Sequence, residues 1–473
     1  MPTLQRTLGL RDVTFLIVGG VIGSGIFLTP GGVLRDVGGR PELALGVWAL
    51  GGILSLLGAL TYAELTARNP RAGGLYIYIR DAFGPLPAFL FGWTMFFAVA
   101  SGTVAALAAA FATQAAEFVA LGETGSKVLA AAVVVVVTVL NAVSTRGSAE
   151  VLNTSTIIKT VFLIGLGVAL IALGGEAIFA PDTATAQRLA FEGALESATT
   201  AGTALPVEGA SLLPTSVITA VGVAMLGVLW SYEGWQYATF AAGEVKDAPR
   251  TFPRAIVLGT LLLTAVYLLV NVGYLAALGA GGVMTSDRVA SAALEAVGYG
   301  TLGKVVIAVI LVSIFSCANA TLFSATRIFF AMAGDGLFFS RMKEVHPRFQ
   351  TPMWAILGTG AWALLLALSG TFDQLLAYVV FTGWLFYGLA AAALFVYRKR
   401  GIGEDAAYRT PLFPIVPGVF LLLTAGLTLS TILEDPKTAL YGLLIVASGV
   451  PAYLFWKRAA APTPVAPTDG GPL

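Results

Sequence analysis

The feature of this 473-residue sequence that most constrains its fold is a series of long apolar runs with almost no charge. A bilayer core about 30 Å thick requires about 20 consecutive apolar residues for a helix to cross it. Only helices and closed barrels satisfy every backbone polar group in lipid, and none of the runs alternates as a barrel strand does. The sequence therefore predicts an all-α polytopic membrane protein with twelve transmembrane helices, at 13-34, 43-66, 87-118, 127-144, 150-173, 214-241, 253-279, 303-333, 353-369, 373-397, 414-432 and 438-456.

The composition supports a membrane protein and argues against nucleic-acid and metal partners. Hydrophobic residues make up 57% of the chain and charged residues 11%, compared with about 25% charged in soluble domains. The net charge of +1 gives no basic field for nucleic acid, so the predicted environment is the lipid bilayer and no nucleic-acid partner is expected. The single cysteine, Cys317, and the single histidine, His346, exclude an intrachain disulfide and a Cys/His metal cluster. We expect no metal and no cofactor.

The basic residues indicate the orientation of the chain. Eighteen Lys and Arg residues fall in connections on the side of the N-terminus and seven on the opposite side. By the positive-inside rule, both termini are cytoplasmic, and the predicted location is the cell membrane. Residues 1-458 are predicted to form one transmembrane domain. The segment 459-473, rich in Pro, Ala, Thr and Gly, is predicted to be a disordered cytoplasmic tail.

Two of the apolar runs are interrupted near their middle. The first has four glycines in the seven residues 19-25, and the sixth has the polar and aromatic segment 230-236. Each glycine disfavours a helix by about 1 kcal/mol relative to alanine. Such glycines also occur where helices pack closely, but interruptions at corresponding positions of two halves are typical of transporters built from inverted repeats. We predict repeats at about 12-173 and 214-397, followed by two extra helices at about 414-457.

A helix interruption frees backbone groups that can bind a ligand. Amide N–H groups at the start of the second half-helix suit a carboxylate, and carbonyl groups at the end of the first half suit an ammonium group. The two breaks together would recognise the backbone of an α-amino acid. The predicted substrate-binding residues are Val21, Ile22, Gly23, Ser24, Gly25, Ile26, Trp230, Ser231 and Glu233. For Glu233, either the carboxylate binds a cationic substrate group or the side chain turns away and the backbone carbonyl binds.

Several sequence motifs lie in register along the chain, at 23-27, 70-78, 230-235, 244-250, 319-327 and 334-336. Together they resemble the amino acid-polyamine-organocation superfamily, and most of all the bacterial relatives of L-type amino acid transporters. The resemblance covers the first ten predicted helices. It implies two intertwined five-helix repeats, alternating access, a substrate site at the two breaks, and an aromatic gate at Trp230.

Lys159 is a basic residue at membrane depth. It follows Glu150 by nine residues, which places it about 13 Å along the fifth helix, near the bilayer midplane. A lysine at this depth is a functional candidate by default, although it could also only bridge two helices. The resemblance implies that its amine occupies the position of the sodium ion of sodium-coupled relatives.

The same resemblance implies the partners of Lys159 and two mechanisms. The partners would be carbonyl groups near Gly19 and Gly20 and a hydroxyl such as Ser313 or Ser316, so the predicted coupling residues are Lys159, Ser313 and Ser316. A permanently charged Lys159 would permit sodium-independent exchange. A Lys159 that releases its proton would couple transport to protons.

The sequence thus predicts a sodium-independent secondary transporter that exchanges small neutral L-amino acids. The alternatives are a proton-coupled symporter and a carrier of cationic amino acids or polyamines. An enzyme or a channel is disfavoured, because no nucleophile with a base lies within the apolar runs and the polar features concentrate at one locus. Animal relatives bind a heavy chain through a disulfide in the loop after the third helix, but here the loop 119-126 lacks cysteine. We therefore expect a monomer without a disulfide-linked subunit.

Overall fold

A computed structural model describes residues 4–119, 121–176, 178–185, 187–188, 192, 217–369, 372–434 and 436–459. These residues are folded almost entirely into helices, and the β-type pairing among them is an isolated bridge between Leu8 and Val245. The all-α prediction is confirmed. The predicted disordered tail lies outside the described residues, apart from Ala459.

The α-helices follow the apolar runs of the sequence. A π-helical turn at Met95–Val99 joins α6 to α7, and a 3-10 helix at Trp235–Glu244 follows α10. In chain order the α-helices are α1 (Leu10–Val21), α2 (Gly25–Leu28), α3 (Pro30–Asp36), α4 (Pro41–Arg68), α5 (Leu75–Phe83), α6 (Pro85–Thr94), α7 (Ala100–Ala115), α8 (Glu123–Val143), α9 (Thr145–Leu173), α10 (Val217–Ser231), α11 (Ala248–Thr285), α12 (Val289–Ala296), α13 (Gly303–Gly334), α14 (Met353–Ser369), α15 (Phe372–Lys399), α16 (Ile415–Glu434) and α17 (Pro436–Ala459).

Ten helical segments in the described part of the chain are long and apolar enough to cross a membrane. A further apolar helix, α14, has 17 residues. The chain is therefore a multi-span membrane protein, and the total of twelve spans stays a prediction.

The first helix occupies the centre of the bundle. α1 lies against α9, α11 and α13, and its residues Val13, Ile17 and Val18 are fully buried. α13 also packs against α7. The break after α1 is therefore surrounded by long helices, which can supply polar side chains to its exposed backbone groups.

A buried carboxylate, Glu64, joins α4 to α15 and to the segment that follows it. Glu64 is 0% exposed, and its oxygens accept hydrogen bonds from Arg68 at 2.8 Å and from Arg398 at 2.8 and 2.9 Å. The backbone amide of Thr410 donates a further hydrogen bond at 2.7 Å. One carboxylate thus holds three parts of the chain, and its loss would leave two guanidinium groups without their anion.

We expect Glu64→Gln to lower the stability of the protein by about 3 kcal/mol, because removing one partner of a buried ion pair leaves an uncompensated charge. Thermal unfolding in detergent measures the effect. The matched control is Glu123→Gln, since Glu123 pairs with Lys127 at an exposed position and such pairs contribute little. Equal melting temperatures for the two variants would contradict the prediction.

Candidate substrate site

The first span is interrupted between α1 and α2. α1 ends at Val21, Ile22 has an extended conformation, and α2 begins at Gly25. Within the described residues, the backbone amides of Gly23 and Ser24 donate no hydrogen bond to another protein group. Two buried amides are therefore available to an anionic group at this break.

The sixth span is interrupted after α10. α10 ends at Ser231, the next three residues form a turn, and the 3-10 helix starts at Trp235. Gly234 has a φ of +121°, and a Cβ atom there would lie 2.7 Å from the carbonyl oxygen of Gly20. A Cβ atom at Gly25 would lie 2.8 Å from the Cα atom of Ser231. The two breaks thus contact each other through backbone, which leaves no room for a side chain at either glycine.

Tyr267 of α11 contacts both breaks through its hydroxyl group. Its hydroxyl lies 2.9 Å from the carbonyl oxygen of Ser231 and 3.3 Å from that of Val21. Each carbonyl oxygen has two lone pairs, so both can accept one more hydrogen bond. Tyr267 is fully buried, and it holds the carbonyl groups at the ends of α1 and α10 side by side.

Lys159 of α9 is 0% exposed and lies against the first break. Its Nζ atom donates hydrogen bonds to the carbonyl oxygens of Gly19 at 2.8 Å and Ile22 at 2.6 Å. Among the described acidic residues, none forms an ion pair with Lys159. Its partners are therefore backbone carbonyl groups at the end of α1.

α13 supplies two further donors to the same break. Ser313 Oγ donates to the carbonyl oxygens of Ile22 and Gly23, at 2.8 and 3.0 Å, and Cys317 Sγ donates to that of Gly20 at 2.9 Å. Ser316 forms no hydrogen bond to the break among the described residues, and its hydroxyl accepts one from Ser155 at 2.9 Å. Ser313 thus shares the Ile22 carbonyl with Lys159, while Ser316 links α13 to α9.

The side chain of Glu233 is held within the sixth span and by α15. Gln236 Nε2 and the Tyr387 hydroxyl donate to its Oε1 atom, at 2.5 and 2.6 Å. Gln236 also accepts a hydrogen bond from the amide of Gly234 at 3.3 Å, so it folds back across the break. Glu233 is half-buried, and the ion pairs of the described residues do not include it.

A small cavity lies where the two breaks meet. Its volume is about 20 Å³, which holds little more than one water molecule. Of the nine predicted substrate-binding residues, six line it and three do not. The six are Val21, Gly23, Ser24, Gly25, Trp230 and Glu233, whereas Ile22, Ile26 and Ser231 lie behind them; the other lining residues are Gly20, Thr103, Leu107, Gly234, Tyr237, Cys317 and Thr321.

Ion pairs connect neighbouring elements at both ends of the third span. Before it, Arg80 of α5 contacts Asp335 at 2.5 Å. After it, Glu117 contacts Arg288, which precedes α12. Burial lowers the pKa of Arg80, but the hydrogen bond and charge of Asp335 raise this pKa above its ordinary value. The Arg80 guanidinium therefore remains charged, and the bundle is held by an ion pair at each end.

A further ion pair is fully buried. Arg327 of α13 donates to Glu244 at 2.7 Å, and the carbonyl oxygen of Glu244 accepts hydrogen bonds from the amides of Thr7 and Leu8. The N-terminal segment, the end of the sixth span and α13 are thereby joined on the side where α1 begins.

The sequence model of the amino acid permease family matches residues 8–451. The chain belongs to the amino acid permease family. Its similarity to the amino acid-polyamine-organocation superfamily is thus confirmed, and the chain is a permease rather than an enzyme.

Named relatives are similar over nearly the whole chain. The serine/threonine exchanger SteT of Bacillus subtilis (strain 168) is 31% identical over 461 residues, 97% of this chain and 98% of that protein. The b(0,+)-type amino acid transporter 1 of Mus musculus is 30% identical over 459 residues, 96% of this chain and 88% of that protein. The cystine/glutamate transporter of Homo sapiens is 30% identical over 462 residues, 96% of this chain and 86% of that protein.

Sequence reasoning missed several polar residues at the breaks. They are Tyr267, Gln236 and Tyr387, which bond to the broken segments, and Cys317, which bonds to Gly20. The signal available was their position deep inside apolar runs, where a polar group requires a partner. This position identifies a residue that needs a partner. It does not identify the partner, which can lie in a distant part of the chain.

We expect Gly234→Ala to reduce amino acid uptake by about tenfold or more, because its Cβ atom would collide with Gly20 and the backbone conformation is strained. Gly222→Ala is the matched control, since Gly222 lies on α10 with open space around it. Uptake and melting temperature are measured for both variants in parallel. Normal uptake by the folded Gly234→Ala protein would show that the contact between the breaks is dispensable.

Proposed function

We propose that this permease is a sodium-independent secondary transporter, which exchanges small neutral L-amino acids by alternating access. The observation that carries the proposal is the meeting of two interrupted helices at a cavity with free amides on one side and carbonyl groups on the other. This arrangement suits the two charged groups of an amino acid without using a charged side chain.

The proposed binding mode follows from the backbone groups around the cavity. The substrate carboxylate accepts hydrogen bonds from the amides of Gly23 and Ser24, which donate to no other group in the described chain. The substrate ammonium group donates to carbonyl groups of the two breaks that line the cavity, including that of Val21. Ser231 lies behind the cavity wall and acts through its contact with the first break. Ile22 and Ile26 act through the conformation of the break, and Trp230 covers the substrate as the resemblance implies.

Lys159 supports exchange without sodium. Its amine bonds to the carbonyl groups of the broken first span and shares one of them with Ser313, which is the position that the resemblance assigns to sodium. A cation bound covalently to the chain does not dissociate between the two sides of the membrane. Proton coupling is the second candidate, because the described residues offer this buried amine no carboxylate.

Several features are proposed on the basis of the sequence and the fold together. We propose twelve spans in one domain, arranged as two five-helix repeats and two extra helices with the first and sixth helices unwound. The excess of Lys and Arg on the side of the N-terminus supports cytoplasmic termini in the cell membrane. The sole cysteine, Cys317, is buried and bonds to Gly20, which supports a protein without a disulfide-linked subunit. We propose in addition that it functions as a monomer.

Alternating access requires the contacts at the two ends to open in turn. We propose that Arg80–Asp335 and Arg327–Glu244 close the cytoplasmic side, and that Glu117–Arg288 closes the opposite side. The small volume of the cavity, about 20 Å³, is consistent with both sides being closed. Widening of the cavity on opening would admit a small side chain first.

Proteoliposomes test the transport mode. We expect uptake of labelled alanine in the absence of sodium only when unlabelled amino acid is present inside, because exchange requires a substrate on both sides. A proton gradient should make no difference. Uptake into empty vesicles driven by an inward proton gradient would instead establish proton symport.

Removal of the lysine amine tests the role of Lys159. We expect Lys159→Ala to lower exchange by about tenfold or more, since it removes two charge-assisted hydrogen bonds from the broken helix. The control is Lys127→Ala, which removes an exposed lysine from α8. Melting temperatures establish that the variants are folded, and an unchanged rate and pH dependence in Lys159→Ala would refute a coupling role.

A further inference from the structure

Three hydroxyl groups in the wall of the cavity have hydrogen-bonding capacity that the protein does not use. They belong to Thr103 on α7, Tyr237 on the 3-10 helix and Thr321 on α13. The residues are 4%, 3% and 1% exposed. No hydrogen-bond partner is present for any of the three oxygen atoms in the described chain.

The two threonines differ from others in the same helical environment. A helical threonine usually donates to the carbonyl four residues earlier, as Thr94 of α6 does at 2.8 Å and Thr138 of α8 does at 2.7 Å. Thr103 and Thr321 lie within helices but do not make this bond. Burying a hydroxyl without a partner is unfavourable. The presence of two such hydroxyls, on helices that face each other, therefore requires an explanation.

Neighbouring polar groups do not supply the missing partners. The Tyr237 hydroxyl is close to Thr103 and Tyr387, without hydrogen-bond geometry to either. Tyr387 donates to Glu233. Cys317, one turn before Thr321, is close to the Thr321 hydroxyl, but its thiol donates to Gly20 and has no hydrogen-bond geometry to Thr321. The hydrogen bonds of these neighbours are directed at the helix breaks, while the three hydroxyls remain available on the cavity wall.

We propose that Thr103, Tyr237 and Thr321 form a subsite for the substrate side chain, and that it selects side chains with a hydrogen-bonding group over apolar ones of the same shape. This inference rests on the proposed function, in which the free amides of the first break bind the substrate carboxylate. A hydroxyl side chain both donates and accepts, so it can bond to the subsite in several arrangements. An apolar side chain of equal size would leave all three hydroxyls unsatisfied.

Charge and size narrow the class of side chain further. The carboxylate of Glu233 lines the same cavity, and no Lys or Arg side chain is among the lining residues. A negatively charged side chain would therefore be repelled and would find no counterion. The cavity of about 20 Å³ must widen before any amino acid enters, and a short side chain requires the least widening. The subsite fits a short, neutral, hydrogen-bonding side chain.

Competition between two substrates of the same shape tests the subsite. L-Threonine and L-valine differ by a hydroxyl in place of a methyl group. In vesicles loaded with alanine, we expect threonine to inhibit the uptake of labelled alanine at concentrations about tenfold lower than valine does. Thr103→Val, Thr321→Val and Tyr237→Phe should each lower this ratio by about threefold or more.

Tyr274→Phe is the matched control. Tyr274 of α11 is also a buried tyrosine whose hydroxyl has no partner in the described chain, but it does not line the cavity. Its removal should leave the ratio between threonine and valine unchanged. A similar fall in this control would assign the effect to general loosening of the bundle and overturn the subsite.

The outcomes separate the inference from the function on which it rests. Equal inhibition by threonine and valine, in a wild-type protein that exchanges alanine, overturns the subsite alone. An unchanged ratio in all three variants does the same. Absence of alanine exchange in the wild-type protein overturns the proposed function. If a variant does not reconstitute, the wild-type ratio still decides whether hydrogen-bonding side chains are preferred.

Discussion

An interrupted helix in a membrane leaves carbonyl groups without partners where no water is present to satisfy them. In this protein the constraint falls on the end of α1, where the carbonyl oxygens of Gly19, Gly20, Ile22 and Gly23 are all bonded by side chains. Lys159 supplies the donors from α9, and α13 supplies the others. The break is stable because two neighbouring helices have replaced the missing backbone hydrogen bonds.

Only the carbonyl groups of the first break are bonded by these side chains, and the amides that remain free can form a binding site. The carbonyl groups at the break are bonded to protein, whereas the amides of Gly23 and Ser24 are not. In the sixth span, Gln236 and Tyr387 donate to the Glu233 carboxylate, which lines the cavity. The protein thus supplies partners for the carbonyl groups that the first break exposes, while two amides at the same break stay free to bind a ligand.

The helical architecture could be predicted from the sequence, because the bilayer restricts an apolar run of sufficient length to one conformation. Candidate break positions could be identified for a similar reason, since the effect of glycine on a helix is local. Partners could not be predicted in the same way. Ser313 and Ser316 were equal candidates in the sequence, but only Ser313 bonds to the first break, whereas the hydroxyl of Ser316 bonds to Ser155.

The two possibilities for the Glu233 side chain were likewise open in the sequence. In the structure its carboxylate bonds to Tyr387, which lies 154 residues away. Pairings of this kind depend on the packing of the whole bundle, so no local pattern reveals them. The partners of Tyr267 could not be predicted for the same reason, because the two carbonyl groups that its hydroxyl contacts belong to separate spans.

Cys317 is the sole cysteine of the chain, and it lines the cavity between the breaks. Its thiol is therefore a natural reporter at the centre of the molecule. A small thiol-reactive reagent has one possible target, and it reaches that target only through an opened pathway. The native sequence can thus be labelled at a single known position, and the side from which the label enters would reveal which end of the bundle is open.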